Sequence, residues 1–383
     1  MEKKPIINLL KKLVKINSIY PNEKKLGSFL YDFFIKKGFF VEKQFVEKDR
    51  FNLLVKKGKA KQSILLYAHL DTVDSTNKNW QTNPFQLIIK NDKGYGLGAF
   101  DMKGGMATNI LSFLETNLKN WNLKLAFCVD EENISKGAYR LIKSSFLDDV
   151  KIILSTEPAF YYGNQGIVIG RPGRAVYQLL LSYPSIHYGL YDHKNDIALI
   201  LSQFIQKIKK LNHYKKHSKQ FLFIREIKTE TIGLSTINKI YLEIDSSIVS
   251  PDNQKTVETK LNQLLLLIKK NYPFLNYQLS IKPRETPYLD GYFINKKNNH
   301  YLKILEKAIS QITQKKAVPY FRSSIADENL FGYYGFNVFG IGSDGGNAHN
   351  GNEWISLSSL VILKKIIIHY LKKLDKSIIY NKI

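Results

Sequence analysis

Two short stretches concentrate the residues able to do chemistry. Tyr67-Ala-His69-Leu-Asp71-Thr-Val73 closes the apolar run Ser63-Ile-Leu-Leu-Tyr67, which has the length and composition of a buried strand. The histidine and the acid therefore fall where a strand gives way to a loop, the place where α/β sheets put their ligands. His69 can ligate a metal through one ring nitrogen, and Asp71, one strand period further on, can accept the hydrogen bond from the other. In Gly96-Leu-Gly-Ala-Phe-Asp101-Met-Lys-Gly-Gly105, Asp101 sits among glycines ahead of an apolar-periodic run, 104–114, that reads as a helix start. A carboxylate so placed suits a helix cap or a metal ligand. Taken alone, the His-x-Asp pair is better explained as structural than as a metal site.

Further junctions repeat the pattern. Leu125-Ala-Phe-Cys-Val129 is another buried-strand run and ends in Asp130-Glu131-Glu132-Asn133. Adjacent carboxylates repel, so a strand end holding three acids needs open solvent or a cation. Ile152-Ile-Leu154 ends in Ser155-Thr-Glu157-Pro158, and Gly345-Gly-Asn-Ala-His349-Asn-Gly-Asn-Glu353-Trp354 sets a second histidine in a glycine-rich loop before the closing helix. As a set, these strand ends are hard to explain as solvated loops.

In order and spacing, the blocks HLDTV, GLGAFDMKGG, DEEN, STEP and GGNAHNGNEW resemble the dinuclear zinc family of acetylornithine deacetylase, succinyl-diaminopimelate desuccinylase, aminoacylase and the glutamate carboxypeptidases, across nearly the whole chain. The resemblance implies that His69 and Glu157 hold one zinc, that Glu132 and His349 hold the other, and that Asp101 bridges them. It implies that Glu131 is the general base and that Asp71 orients His69. It also implies a cis peptide after Asp101, with cobalt or manganese as substitutes for zinc. The chemistry agrees: zinc takes imidazole and carboxylate ligands, and ions about 3.5–4 Å apart need a shared carboxylate.

The elements that must position these residues can be read from periodicity. Ile6, Ile7, Leu9, Leu10, Leu13 and Val14 recur at helical spacing, and 23–37 reads as a second amphipathic helix. Strands are expected at 39–45, 52–56 and 86–90, the last before the turn signal Asn91-Asp-Lys-Gly94. Alternation of strands and helices to about Gly173 is the α/β pattern. From there the order is strand 176–182, helix 196–211, strands 221–226 and 237–244, helix 254–270 and strand 277–281, a ferredoxin-like β-α-β-β-α-β unit. The expected fold is thus an α/β catalytic domain, a mixed sheet flanked by helices, in two parts, 1–174 and 283–383, with an inserted α+β domain at 175–282.

The resemblance implies that the insert is a lid and dimerisation domain, so that the protein is a homodimer. It further implies that His187, in Ser185-Ile-His187-Tyr-Gly189 followed by Asn195-Asp-Ile-Ala198, reaches the partner's site to bind an oxyanion. The other histidines, His193, His213, His217, His300 and His369, fit no block and are expected on the surface or in packing.

Departures from the family pattern bear on the substrate. The stretch 233–246 is shortened, and Asp245-Ser246 has serine where an arginine is expected. A clamp on a substrate carboxylate must then come from elsewhere, and Arg322, Ser324 and Asp327 in Phe321-Arg-Ser-Ser-Ile-Ala-Asp327 are the candidates. Tyr95-Gly-Leu97-Gly98 is closer to the Tyr-Gly-Leu-Gly of acetylornithine deacetylases than to the Tyr-Gly-Arg-Gly common in desuccinylases. A second substrate carboxylate would lack a charged partner there, which favours acetyl over succinyl. The expected activity is zinc-dependent hydrolysis of an N-acyl amino acid: the metals polarise the amide, and Glu131 takes a proton from water and passes it to the leaving amine. Cleavage of di- or C-terminal peptides is the enzymatic alternative. A catalytically silent metal-binding homologue is the other, against which the retention of Glu131 argues.

Composition bounds these readings. With 383 residues, 44% of them hydrophobic, there is material for a sizeable core and two or three domains. The net charge of +24 rests on lysines spread through every segment, with only seven arginines, which is a poor match to base readout and phosphate forks, so no nucleic-acid partner is expected. The densest apolar run, Leu264-Leu-Leu-Leu-Ile268, is far too short to span a membrane. Lysines interspersed in the first helix are unlike a signal peptide, and a lone cysteine, Cys128, forms no intrachain disulfide; both suit the cytoplasm.

Overall fold

The computed structural model describes residues 3–76, 78–192, 196–215 and 218–380; His193, Asn195 and His217 lie outside the described residues. The apolar positions of the first helix, α1 (Lys3–Lys15), are buried at Ile6, Leu9, Leu10, Leu13 and Val14, and Lys12 and Lys15 fall in its last turn, where the helix dipole favours cations. Next come α2 (Lys24–Ile35) and strands β1 (Val41–Phe45), β2 (Phe51–Lys57) and β3 (Ser63–His69), then a hairpin of β4 (Ile88–Lys90) and β5 (Lys93–Tyr95). Helix α3 (Gly104–Glu115), β6 (Asn122–Cys128), α4 (Lys136–Ile142), β7 (Val150–Ser155) and β8 (Gly166–Arg171) complete the first stretch. The middle of the chain forms β9 (Gly173–Ser182), α5 (Ile197–Ile208), β10 (His213–Lys215), β11 (Ser218–Thr231), β12 (Ile237–Ile248), α6 (Gln254–Asn271) and β13 (Asn276–Ile281). The last stretch holds β14 (Tyr292–Phe293), α7 (His300–Thr313), β15 (Val318–Phe321), α8 (Glu328–Tyr333), β16 (Asn337–Gly340), β17 (Gly345–Gly346), β18 (Trp354–Ser356) and α9 (Leu357–Tyr380).

These elements divide into two units: Met1–Ile169 with Phe293–Tyr320 and Ala326–Ile383, and Gly170–Tyr292 with Phe321–Ile325. The sequence placed the insert at 175–282; the second unit begins earlier, ends later and takes in a short return segment.

The main sheet of the first unit runs β1-β2-β6-β3-β7-β16-β8-β14. Its centre, β6, β3, β7 and β16, is parallel, and β2 joins β6 antiparallel, so the sheet is mixed. The register pairs His69 with Cys128 and Tyr67 with Ser155, which brings the carboxyl ends of β3, β6 and β7 to one edge. All seven residues of β3 and of β6 are buried, as strands covered on both faces require. Cys128 is fully buried in that core. A smaller sheet, β17-β18-β5-β4, pairs Trp354 with Tyr95 and thereby sets the 345–354 hairpin beside the segment that leads to Asp101.

In the second unit the sheet order is β10-β11-β12-β9-β13, so the four long strands follow the ferredoxin-like order. Helices α5 and α6 bury Ile200, Phe204, Leu261 and Leu265 against Leu179, Leu181, Leu242 and Ile244. Asp196 caps α5 through Ala198 N (2.8 Å), and Asn253 with Thr256 forms a capping box on α6. Strands β11 and β12 run beyond the expected 221–226 and 237–244. Their ladder continues through charged positions, such as Glu230 opposite Lys239, where apolar periodicity has already stopped.

Candidate metal centre

His69 is fully buried at the last residue of β3. Its Nδ1 lies 3.0 Å from the backbone carbonyl of Asp71 and 3.6 Å from that residue's carboxylate. Asp71 therefore orients the ring chiefly through its main chain, a correction to the carboxylate contact expected above; its carboxylate instead accepts the backbone N–H of Glu132 at 2.8 Å. With Nδ1 carrying the proton, the Nε2 lone pair points at Asp101 (3.2 Å) and Glu157 (3.4 Å). His349 does the same from the β17–β18 hairpin: its Nε2 lies 3.3 Å from Asp101 and 3.1 Å from Glu132. Asp101 faces His69 with Oδ1 and His349 with Oδ2. Two triads, His69–Asp101–Glu157 and Asp101–Glu132–His349, thus share one carboxylate, and Glu131 lies with Glu132 and His69 in an overlapping group.

The backbone around Asp101 is irregular, with a cis Asp101–Met102 peptide, as the resemblance implies. Glu353, buried at 1% exposure, accepts the backbone N–H groups of Gly98 (2.8 Å), Phe100 (2.7 Å) and Asp101 (2.9 Å). It ties the shared aspartate to the hairpin that carries His349. The amino end of α3 comes close behind the cluster: a side chain at Gly105 would stand 2.2 Å from the carbonyl oxygen of Thr156, so only glycine fits. Asn109 on that helix donates to Tyr67 O and to Thr156 Oγ1, both at 2.9 Å, and so braces β3 against the loop after β7.

Electrostatics supplies the test of what the cluster can hold. Six carboxylates, Asp71, Asp101, Glu131, Glu132, Glu157 and Asp327, surround two imidazoles. Burial pushes Glu131 well above the carboxylate range, with Glu157 and Glu132 adding to the rise, and pushes Asp327 up to about 7. Asp101 and Glu132 raise His349 to about 10; His69 is also raised, because its carboxylate partners outweigh its burial. Protons here do the charge balancing that divalent ions do when bound to neutral imidazole and carboxylate. The donor set fits one divalent ion in each triad.

The remaining expected site residues belong to neither triad. Asp327 is buried in the first unit and accepts the Tyr67 hydroxyl. In the second unit, Arg322 is 5% exposed, and Ser324 accepts Arg171 Nη1 with both its carbonyl and its hydroxyl (3.0 Å each). His187, also there, is exposed, and its Nδ1 accepts Gly189 N at 3.3 Å. Near the missing lid arginine, Arg174 reaches over from β9 and grips Asp245 with two bonds, at 2.9 and 2.6 Å. Sequence reasoning assigned no role to Glu353, Asn109 or Tyr67. A lone acid four residues after His349, in a loop otherwise without charge, was the available signal for Glu353.

Fold and site together define a class: an α/β protein whose candidate dinuclear centre lies at the carboxyl ends of parallel strands, with an inserted ferredoxin-like unit. Residues 65–373 match the family described as Peptidase family M20/M25/M40. The chain belongs to that family. It is 29% identical over 255 residues to a probable succinyl-diaminopimelate desuccinylase of Staphylococcus aureus (strain Mu50), a match that covers 64% of this chain and 60% of the relative. It is also 29% identical over 242 residues to the acetylornithine deacetylase of Buchnera aphidicola (subsp. Acyrthosiphon pisum, strain Tuc7), covering 61% and 62%. These matches span less than two thirds of either relative's length. Among solved structures, a Staphylococcus aureus tripeptidase superposes with a TM-score of 0.81 at 18% identity, covering 98% of this chain and 99% of that one. A Bacillus subtilis dinuclear metal binding peptidase gives 0.72 at 13%, covering 98% and 99%. The structural likenesses speak for the fold.

Proposed function

We propose that this protein is a metal-dependent amide hydrolase that removes a small acyl group from an N-acyl amino acid, with zinc in both triads. The observation that carries this reading is Asp101, which turns one oxygen to each imidazole, while Glu131 stands in the same cluster outside both triads. His69 and Glu157 would hold one ion and Glu132 and His349 the other, with Asp101 shared. When bound, such a pair polarises an amide carbonyl and lowers the pKa of a water. Glu131 takes the proton from the attacking water and delivers it to the leaving nitrogen.

Acetyl is favoured over succinyl. Leu97 is buried beside the Asp101 segment and brings no charge, and Ser246 is spent on Ala175 O at 2.7 Å. Peptide cleavage stands second, on the structural likeness to a tripeptidase. We also propose a homodimer through the second unit, where β11 beyond residue 220 has no outer strand among the described residues and exposes Phe223 and Ile227. A cytoplasmic location completes the reading; no helix among the described residues is long and apolar enough to cross a membrane.

The test compares kcat/KM of the zinc-loaded protein for N-acetylornithine and N-succinyl-diaminopimelate. Acetyl is expected to lead. A tenfold preference for succinyl would overturn the acyl assignment, and cleavage of dipeptides alone would replace it with the peptidase reading. Glu131→Gln keeps shape but cannot accept a proton, so turnover should fall at least about a hundredfold with zinc retained. Near-normal turnover would move the base elsewhere.

A further inference from the structure

Behind the Glu131–Glu132 turn lies a buried ionic clamp that the proposed chemistry does not use. Arg50, 6% exposed immediately before β2, donates Nε and Nη2 to the two carboxylate oxygens of Glu23 (2.9 and 2.5 Å), and Nη2 also donates to Asp130 (2.9 Å). Glu23 and Asp130 are fully buried, and Nη1 reaches the more exposed Glu47 at 3.0 Å. Asp130 is the residue immediately before Glu131, and its φ of +75° is the left-handed conformation that a residue with a side chain keeps only when its surroundings hold it there. What holds it is the carboxylate: besides Arg50, it accepts Asn133 Nδ2 (3.3 Å), Ile134 N (3.4 Å) and Lys136 N (3.0 Å), so the turn wraps around it. The direction in which the chain leaves toward Glu131 and Glu132 is therefore set at Asp130.

The clamp also reaches the His69 side of the cluster. The Tyr20 ring lies 4.8 Å from the Arg50 guanidinium, its hydroxyl accepts Asn133 Nδ2 (3.1 Å), and its backbone N–H donates to Thr72 O (3.0 Å). Thr72 follows Asp71, whose carboxylate accepts Glu132 N. These contacts close a ring from Arg50 through the base-bearing turn and the His69 loop back to Arg50. We propose that Arg50 is a positioning residue, whose planar fork between Glu23 and Asp130 fixes the Glu131–Glu132 turn against the His69–Asp71 strand end. This rests on the reading of Glu131 as base and Glu132 as ligand. A guanidinium is suited to it because it binds two carboxylates in fixed directions at once; an ammonium supplies the charge without the geometry.

The test is Arg50→Lys in the full chain, with Asp130→Asn as the second variant and near-ultraviolet circular dichroism as the check of fold. Zinc is titrated against a competing chelator, and kcat and KM are measured on the substrate that the wild type cleaves. The expected result is a native fold, KM within about twofold, kcat down at least about tenfold, the first zinc equivalent bound as in the wild type and the second weakened tenfold or more. Either variant folded with kcat and second-zinc affinity within twofold of wild type would overturn the positioning role. Loss of fold in both would also overturn it, since Arg50 would then be a strut for the whole unit. Glu131→Gln and Glu132→Gln run in parallel separate the two levels. If they keep turnover and both equivalents, the reading of the pair fails and takes this proposal with it; if Glu131→Gln loses turnover and Glu132→Gln loses the second equivalent, a silent Arg50→Lys counts against the clamp alone.

Discussion

Asp101 carries the heaviest demand of any single side chain in the centre. It is 7% exposed and is the carboxylate common to both triads. Asp101→Ala should therefore cost metal at both positions: bound zinc after gel filtration should fall from two equivalents to one or fewer, while Cys128→Ala, buried and in neither triad, keeps the wild-type content. Two equivalents on the alanine variant would remove the bridging assignment. At this scale most of the centre was legible in the sequence, because a histidine or acid at a strand end is visible as a break in an apolar run. What could not be read was how each residue is held. His69 is oriented by the main chain of Asp71, and a backbone carbonyl leaves no mark in a sequence. Arg50 and Glu23 pair across 27 positions without any local pattern to announce it.

Among the elements, the β17–β18 hairpin has the most to do with little regular structure. His349 stands in it at φ +63°, and Asn352 links it to the 79–81 loop through Gln81 N (2.8 Å) and Asn79 O (2.9 Å). Glu353 gives it a second anchor in the three backbone N–H groups before and at Asp101. In Glu353→Gln one carboxylate oxygen becomes an NH2 group facing N–H donors, so at least one buried donor loses its partner. The expected cost is about 1–3 kcal/mol, read as a lower urea midpoint in the metal-free protein, together with weaker binding of zinc. An unchanged midpoint would show that the hairpin is anchored elsewhere. Strands and helices with strong periodicity were readable, α3 to within a residue or two, whereas the two-residue β17 and three-residue β18 were not, since strands so short exist only through pairing, β17 with β18 and β18 with β5.

For the molecule as a whole, the distribution of arginine is uneven in a way the net charge hides. Five of the seven arginines, Arg171, Arg174, Arg225, Arg284 and Arg322, belong to the second unit, so the residue best fitted to carboxylates is concentrated there. His187 belongs to the same unit and is exposed. If it serves the partner's centre in a dimer, mixing inactive His187→Ala and Glu131→Gln chains should restore part of the activity, up to about a quarter of wild type at equal mixing, because heterodimers regain one full set. No recovery after verified subunit exchange would confine His187 to its own chain.

The first unit's discontinuity in sequence has a consequence for how the protein comes to be made. Synthesis proceeds from the amino end, and elements can pack only once they have emerged. By the time β7 and its loop are out, His69, Asp101 and Glu157 all exist, but β16, which lies between β7 and β8 in the finished sheet, is still more than a hundred and fifty residues away, and His349 follows later still. The second unit, nearly continuous in the chain, has time to fold in that interval. On the proposed assignment, the growing chain owns the donors for one ion long before it owns those for the other, so the order in which the two positions can be filled is written into the order of translation.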